Sequence, residues 1–423
     1  MIRPDVYTRV LAHRLIMDVV VHGCTLDRAF EKPALQKLSV SDRQFVRLLV
    51  MTVLRHYRQA QNALTSFLKK PLSFKQTDIQ VALTIGVVSL HYLKTPSHAA
   101  VDTTVELVKA LNRFAFVSLV NAVLRACLRQ WENVSSKLSE GIELPEWLFQ
   151  SWCHFYGEEK AKKMCLALGQ EPPLDITAPK HPSYWAEMLE GRLFFPHTIR
   201  LDNGGNITQK VGYNDGQWWV QNAAASVPVM LFSTLNGKKT ADLCAAPGGK
   251  TAQLVAAGAI VDAFDISENR LKRLRENMKR LRFDHRVQTI CTDLLKWNES
   301  FEYDAVLLDA PCSATGTLAR HPDLIFHRSQ VDIDRLVLLQ KELLKKATTL
   351  IRTGGELVYS VCSLQPEEGE KQIYSFLKKF PNFCIVPPSA PFLKPFVTKE
   401  GFVRLTPIDG TDGFFAVLLR KNA

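Results

Sequence analysis

Residues 303–317 read YDAVLLDAPCSATGT, and the reading of this stretch decides the fold. An apolar run, Ala305 to Leu308 entered from Tyr303, passes into Asp309, then Pro311, Cys312 and a turn rich in Gly, Ser and Thr. A short buried strand that breaks into a polar loop is how open α/β sheets present catalytic groups at the carboxyl ends of their strands. Here that place holds a carboxylate and, three residues on, a thiol. A second stretch, LVYSVCSLQPEE (357–368), repeats the design and carries Cys362. Two strand-end thiols and an aspartate point to covalent chemistry on an electrophilic carbon. The nine cysteines are odd in number, widely spaced and without a CxxC pair, which fits free thiols in a reducing compartment better than a disulfide framework or a zinc site.

Strands and helices alternate on either side of this stretch. TADLCAAPGG (240–249) reads as a strand and turn opening a helix over 251–257. AIVDAFDIS (259–267) reads as a second strand, backed by the helix SENRLKRLRENMKRLRF (267–283). VQTICTDL (287–294) is a third strand and YDAVLLDAP the fourth. A long helix is expected from about Val331 to Ile351, preceded by Ser329 and stopped by Gly354 and Gly355. ELVYSVCS (356–363) is the fifth strand, and FVRLTP and DGFFAVLLRK (402–421) read as two more, antiparallel at the sheet edge. Strict alternation means right-handed crossovers and a mostly parallel sheet.

Toward the amino terminus the pattern is helical. Apolar residues recur at three- and four-residue spacing in VYTRVLAHRLIMDVVV, FVRLLVMTVLRHY, IQVALTIGVVSLHYL and FVSLVNAVLRACL. Ser41 and Asp42 offer an N-cap, and Pro71 and Pro96 punctuate the connections. Residues 145–168 continue helical, with Pro145 and Glu146 suited to a first turn. A Pro-, Gly-, Asn- and His-rich stretch over 171–220 then reads as a small α+β connector. The expected organisation is an all-α bundle at 1–135, a helical and small α+β connector at 140–220, and an α/β domain at 221–423.

The chain has 423 residues and a net charge of +11, with 18 Lys/Arg against 9 Asp/Glu in residues 1–132. A basic bundle beside a nearly neutral domain suggests a polyanion-docking module joined to a catalytic one. Arg43, Arg47, Arg55, Arg58, Arg125 and Arg129 are the candidate phosphate-facing side chains; the wet faces of amphipathic helices are the plainer reading of each. No apolar run reaches the roughly 20 residues that cross a bilayer, and the amino terminus lacks a signal-peptide core. A cytoplasmic protein is expected.

The turn CAAPGGK, comprising Cys244, Ala245, Ala246, Pro247, Gly248, Gly249 and Lys250, lets the backbone approach a ligand where a helix begins. Asp265 ends the second strand, where a carboxylate can hold ribose hydroxyls. Asp293 ends the third and is suited to an adenine amino group. Each aspartate alone is more often a helix cap; three strand ends converging with a glycine turn favour a nucleoside-bearing cofactor. Cys24, Cys127, Cys153, Cys165, Cys291 and Cys384, with Cys244 beside them, read as small buried hydrophobes.

DLCAAPGGKT, DISENRLKRL, DAPCSATGT with RHPD, and YSVCSLQPEEGE together resemble the Sun/Fmu (RsmB) branch of the S-adenosylmethionine-dependent RNA (cytosine-5) methyltransferases. The helical amino-terminal part is similar to that branch's NusB-like RNA-binding domain. The resemblance implies a Rossmann-like class I methyltransferase domain and S-adenosylmethionine as cofactor, with no metal. It implies methylation of cytosine carbon 5 in ribosomal RNA of the small subunit, and RNA as the partner, contacted partly through the basic bundle. It further implies Cys362 as nucleophile on carbon 6, Cys312 in proton removal and release, and Asp309 hydrogen-bonding the cytosine while bordering the cofactor. Lys250 either faces substrate or anchors the glycine turn. Transfer RNA as substrate, or a non-catalytic RNA-binding assembly factor, are the alternatives. The chain departs from the family pattern at Val361, where a hydroxyl residue is usual, at Ala314, where Gly is common, and in DITAPK (175–180), where an Arg-Val-Asn strand is usual.

Overall fold

The computed structural model describes residues 3–136, 138, 141–202, 204–298 and 301–422; the boundary expected at residue 140 and the last residue, 423, lie outside them. The chain forms two compact units, Met1–Glu171 with Leu318–Arg328, and Pro172–Thr317 with Ser329–Ala423.

The first unit is helical. Its central helix, Thr77–His91, buries every residue from Val81 to Leu90, as a helix apolar on all sides must. Helices Pro4–Val20, Val40–Arg55, Ser97–Ala110 and Val117–Ser135 pack on it. A Cβ at Gly86 would lie 2.7 Å from Leu124 and 3.2 Å from Thr104, so the missing side chain is what lets two neighbours approach. The N-cap of Val40–Arg55 is Ser39, not Ser41: its hydroxyl accepts the Asp42 N–H at 3.1 Å, leaving Asp42 in the first turn where it suits the helix dipole. Pro145 and Glu146 open Glu146–Tyr156 as expected, and Gly157, at φ +85°, separates it from Glu158–Leu168.

Leu318–Arg328 belongs to this helical unit although its flanking residues belong to the other. Asp323 accepts the Leu26 N–H at 2.9 Å, and Arg55 donates to the Ala319 carbonyl at 2.8 Å. The Phe326 ring meets Tyr57 edge-on at 5.4 Å.

The second unit holds two sheets. The smaller comprises β1 (Leu174–Thr177), β2 (Gly191–Phe195), β3 (Thr198–Leu201) and β4 (Trp219–Val220), antiparallel in the order β2-β3-β1-β4. Ile176, Trp185, Ile199 and Trp218 make its core. In the atypical DITAPK strand, Asp175 is buried against Arg200 at 2.8 Å and also accepts the Ala223 N–H at 3.0 Å.

The larger sheet contains β5 (Lys239–Leu243), β6 (Ile260–Asp265), β7 (Val287–Cys291), β8 (Tyr303–Asp309), β9 (Ile351–Val361), β10 (Phe383–Ile385), β11 (Val403–Leu405) and β12 (Phe414–Lys421). Its order is β10-β12-β9-β8-β5-β6-β7, with β11 beside β12. Strands β5 to β9 are parallel, as alternation predicts, and the fold is Rossmann-like. Two expectations fail in detail. The long helix spans Gln330–Leu350, and β9 starts at Ile351, so Gly354 and Gly355 lie in the strand's irregular opening and do not stop the helix. Strand β12 lies inside the sheet between β9 and β10, because the three-residue β10, too short to show periodicity, takes the edge. Among the described residues no helix is long and apolar enough to cross a membrane.

Candidate active site

Strands β8 and β9 are parallel neighbours with Asp309 paired to Ser360. The loops that leave them therefore start side by side, and the sulfurs of Cys312 and Cys362 lie 3.4 Å apart. The Gly316 N–H donates to the Cys362 carbonyl at 3.1 Å, tying one loop to the other. A Cβ on Gly316 would sit 1.9 Å from the Gly413 carbonyl oxygen, so the turn after Cys312 docks backbone to backbone on the chain entering β12. Ala314, in the same turn, holds φ +59°, a left-handed conformation glycine adopts without strain. That accounts for glycine being common there.

Asp309, the last residue of β8, has one side-chain partner on each carboxylate oxygen. One carboxylate oxygen accepts the Ser360 hydroxyl at 2.8 Å and the other the Lys250 ammonium at 2.7 Å. Lys250 lies in the first turn of the helix Gly249–Ala256 and stands 5.3 Å from the centre of the Phe414 ring. It ties the start of the helix after the glycine turn to the carboxylate beside the thiols. Burial pulls its proton off; the Asp309 carboxylate, by charge and hydrogen bond, and Cys362 outweigh that, so its pKa stands above the ordinary lysine value. The Cys312 thiol is held well above the usual cysteine range, first by its hydrogen bond to Cys362, then by burial and the charges of Cys362 and Glu368.

The glycine turn lies at the carboxyl end of β5, next to β6. Cys244 at φ +63° and Gly248 at φ +102° bend it, with a cis peptide between Ala246 and Pro247. Ala245 N–H reaches the Phe264 carbonyl at 2.9 Å. Asp265 is buried and accepts the N–H groups of Ala246 at 3.2 Å and Ser267 at 3.0 Å, with Arg270 at 3.2 Å. It therefore shapes the turn as well as bordering the crevice. Asp293 follows β7 and accepts the Leu295 N–H at 3.1 Å. Burial pushes the Cys244 thiol up to about 12; of the cysteines read as buried hydrophobes, Cys127 and Cys165 are buried whereas Cys291 and Cys384 are exposed.

S-adenosylmethionine fits these residues. A Cβ on Gly249 would meet nothing nearer than Gln221 at 3.8 Å, ordinary van der Waals contact, so the turn is uncrowded where the helix starts. Ile266, 70% exposed beside Asp265, offers an apolar surface for a base. Cys244, Ala245, Ala246, Pro247, Gly248, Gly249 and Lys250 would line the cradle, with Asp265, Asp293 and Asp309 at neighbouring strand ends.

Sequence reasoning missed Ser360, Ser313, Ser363 and Glu368. The repeated Cys-Ser pair, at 312–313 and 362–363, was the available signal. Of the arginines singled out in the bundle, Arg43 donates to the carbonyls of Leu35, Gln36 and Leu38, Arg47 covers the Phe30 ring at 4.8 Å, and Arg55 is buried. Arg125 and Arg129 are exposed on Val117–Ser135.

Residues 229–420 match the family described as 16S rRNA methyltransferase RsmB/F, and residues 7–129 match the NusB family. Ribosomal RNA small subunit methyltransferase B of Pectobacterium atrosepticum is 33% identical over 431 residues, covering 98% of both chains. Its counterpart from Escherichia coli K12 is 34% identical over 430 residues, again covering 98% of each. A methyltransferase homolog protein from Pyrococcus horikoshii has a solved structure similar to 66% of this chain and 100% of its own, at TM-score 0.55 and 28% identity. NSun6 from Pyrococcus horikoshii, solved with SFG, shares the fold over 66% of this chain and 98% of its own, at TM-score 0.57 and 21% identity.

Proposed function

This chain belongs to the 16S rRNA methyltransferase RsmB/F family and is S-adenosylmethionine-dependent, and we propose that it methylates carbon 5 of a cytosine in small-subunit ribosomal RNA through a covalent cysteine adduct. The observation that carries this reading is the pair of sulfurs 3.4 Å apart beside the Asp309–Lys250 ion pair.

Cytosine carbon 5 is a poor nucleophile. Addition of the Cys362 thiolate to carbon 6 moves the ring electrons toward carbon 5, which becomes enamine-like and able to attack an electrophilic methyl. Asp309 hydrogen-bonds the ring and amino group of the base. The Lys250 ammonium offsets the negative charge of both Asp309 and Cys362. S-adenosylmethionine supplies the methyl group as a sulfonium carbon. Cys312, having given its own proton to solvent, then takes the carbon-5 proton; as that proton leaves, the carbon 5–carbon 6 double bond re-forms and the Cys362 sulfur departs as a thiolate. Once Cys362 is bonded to carbon, its hydrogen bond, the first cause holding the Cys312 thiol above the ordinary range, is lost, which eases release of the Cys312 proton. The base must leave its stack to reach the pocket. We assign RNA docking to residues 1–135, a connector to 140–220 and transfer to 221–423.

Cys362→Ala is expected to abolish methyl transfer from labelled cofactor while leaving the fold intact. Cys312→Ala is expected to accumulate a denaturant-resistant protein–RNA adduct. Retained transfer by Cys362→Ala sinks the mechanism. Bisulfite sequencing of total RNA with and without the gene identifies the cytosine, and a change confined to transfer RNA moves the substrate.

A further inference from the structure

Glu368 lies six residues beyond Cys362 and is completely buried, at 0% exposure. One carboxylate oxygen accepts the Ser313 N–H at 2.8 Å and the Gln340 side-chain amide at 2.9 Å. The other accepts the hydroxyls of Ser313 and Ser363. Those two hydroxyls are themselves 3.0 Å apart. Ser313 follows Cys312 and Ser363 follows Cys362, so one carboxylate grips the residue next to each sulfur. The grip is itself braced: Tyr359 donates to the Glu368 carbonyl at 2.7 Å, and Gln340 also donates to the Pro311 carbonyl at 3.0 Å. Burying a carboxylate is costly unless its lone pairs are filled, and here four donors fill them.

We propose that Glu368 is the positioning residue of the two thiols, holding the Cys312 loop against the Cys362 loop so that both sulfurs address one carbon–carbon bond. This rests on the reading that Cys312 and Cys362 carry the chemistry. Glu368 touches neither base nor cofactor; it acts through Ser313 and Ser363. The strand pairing of Asp309 with Ser360 and the Gly316–Cys362 hydrogen bond do not involve Glu368, so its loss is expected to loosen the loops and leave the sheet standing.

The test compares Glu368→Ala and Glu368→Gln with Cys362→Ala and Cys312→Ala in the full-length protein. Misplacing a reacting group by about 1 Å costs about 100-fold, so Glu368→Ala is expected to lower kcat about 100-fold with KM for S-adenosylmethionine within about two-fold. Glu368→Gln keeps an acceptor for the Ser313 N–H and a partner for the two hydroxyls, and is expected to rescue kcat to within about five-fold. Diamide gives an independent reading: it takes one hydrogen from each thiol, is reduced to its hydrazine and leaves a Cys312–Cys362 disulfide. Closure is expected to slow about ten-fold in Glu368→Ala and to stay near wild type in Glu368→Gln. If Glu368→Ala does not fold, Ser313→Ala with Ser363→Ala removes the hydroxyl half of the grip and is expected to lower kcat and slow closure in the same direction. Unchanged kcat and closure rate in whichever of these variants folds overturns the proposal. Should Cys362→Ala still transfer methyl groups, the reading of the site fails instead, a result the Glu368 variants do not produce.

Discussion

At Asp242, in the middle of β5, the carboxyl is buried with one oxygen bonded to Thr251 at 2.6 Å and the other without a partner. Burial raises its pKa from 3.8 to about 7. A carboxyl that binds its proton more tightly folded than unfolded stabilises the protein at low pH. That stabilisation is lost as pH rises from about 3.8, the unfolded value, to about 7, the folded one. Asp242→Asn removes the titration. Wild-type stability is expected to fall by on the order of 2 kcal/mol relative to Asp242→Asn between pH 5 and pH 8. Urea unfolding at both pH values checks this; parallel pH dependence of the two proteins contradicts it. The same scale explains Ala314, whose left-handed backbone was invisible in a sequence that shows only a small residue where glycine is common.

At the scale of elements, the site depends on two loops leaving adjacent parallel strands and on a third segment that packs beneath one of them. The Gly316–Gly413 contact leaves no room for a side chain, and the obstructing atom is a backbone oxygen that cannot swing away. Gly316→Ala is therefore expected to destabilise by about 2 kcal/mol or more and to lower transfer at least ten-fold, because the displaced turn carries Cys312. Unfolding midpoints and methyl-transfer rates, measured together, check both parts; near-wild-type values in both refute the docking role. The alternation of strands and helices was legible because each element's period is local. The edge strand β10 was not, since three residues carry no period.

At the scale of the molecule, most of the net charge lies in the helical unit, yet five of the six arginines singled out there fall into two groups. Arg43, Arg47 and Arg55 serve the protein's own carbonyls, ring and interior. Arg125 and Arg129 point outward on one helix and are the better candidates for phosphate. Arg125→Glu with Arg129→Glu is expected to weaken RNA binding, with the slope of log affinity against log salt shallower by about two. KM for S-adenosylmethionine is expected to stay unchanged. An unaltered salt slope in a filter-binding titration removes these residues from the interface. The excursion of Leu318–Arg328 into the helical unit belongs to this scale too, with Asp323 capping the Leu26–Phe30 helix from nearly 300 positions away in sequence.

The sequence by itself determined the alternation of strands and helices from β5 to β9, and it put Asp309, Cys312 and Cys362 at strand ends, because hydrophobic period and turn chemistry are properties of neighbouring residues. It could not determine that β8 and β9 lie side by side, that Lys250 spans to Asp309, or that a single glutamate grips both cysteine loops. Those are contacts between residues 5 to 59 positions apart. Most of them exist only after the sheet has chosen its strand order, and that choice is made by burial of whole faces against one another, which no local window of the chain contains.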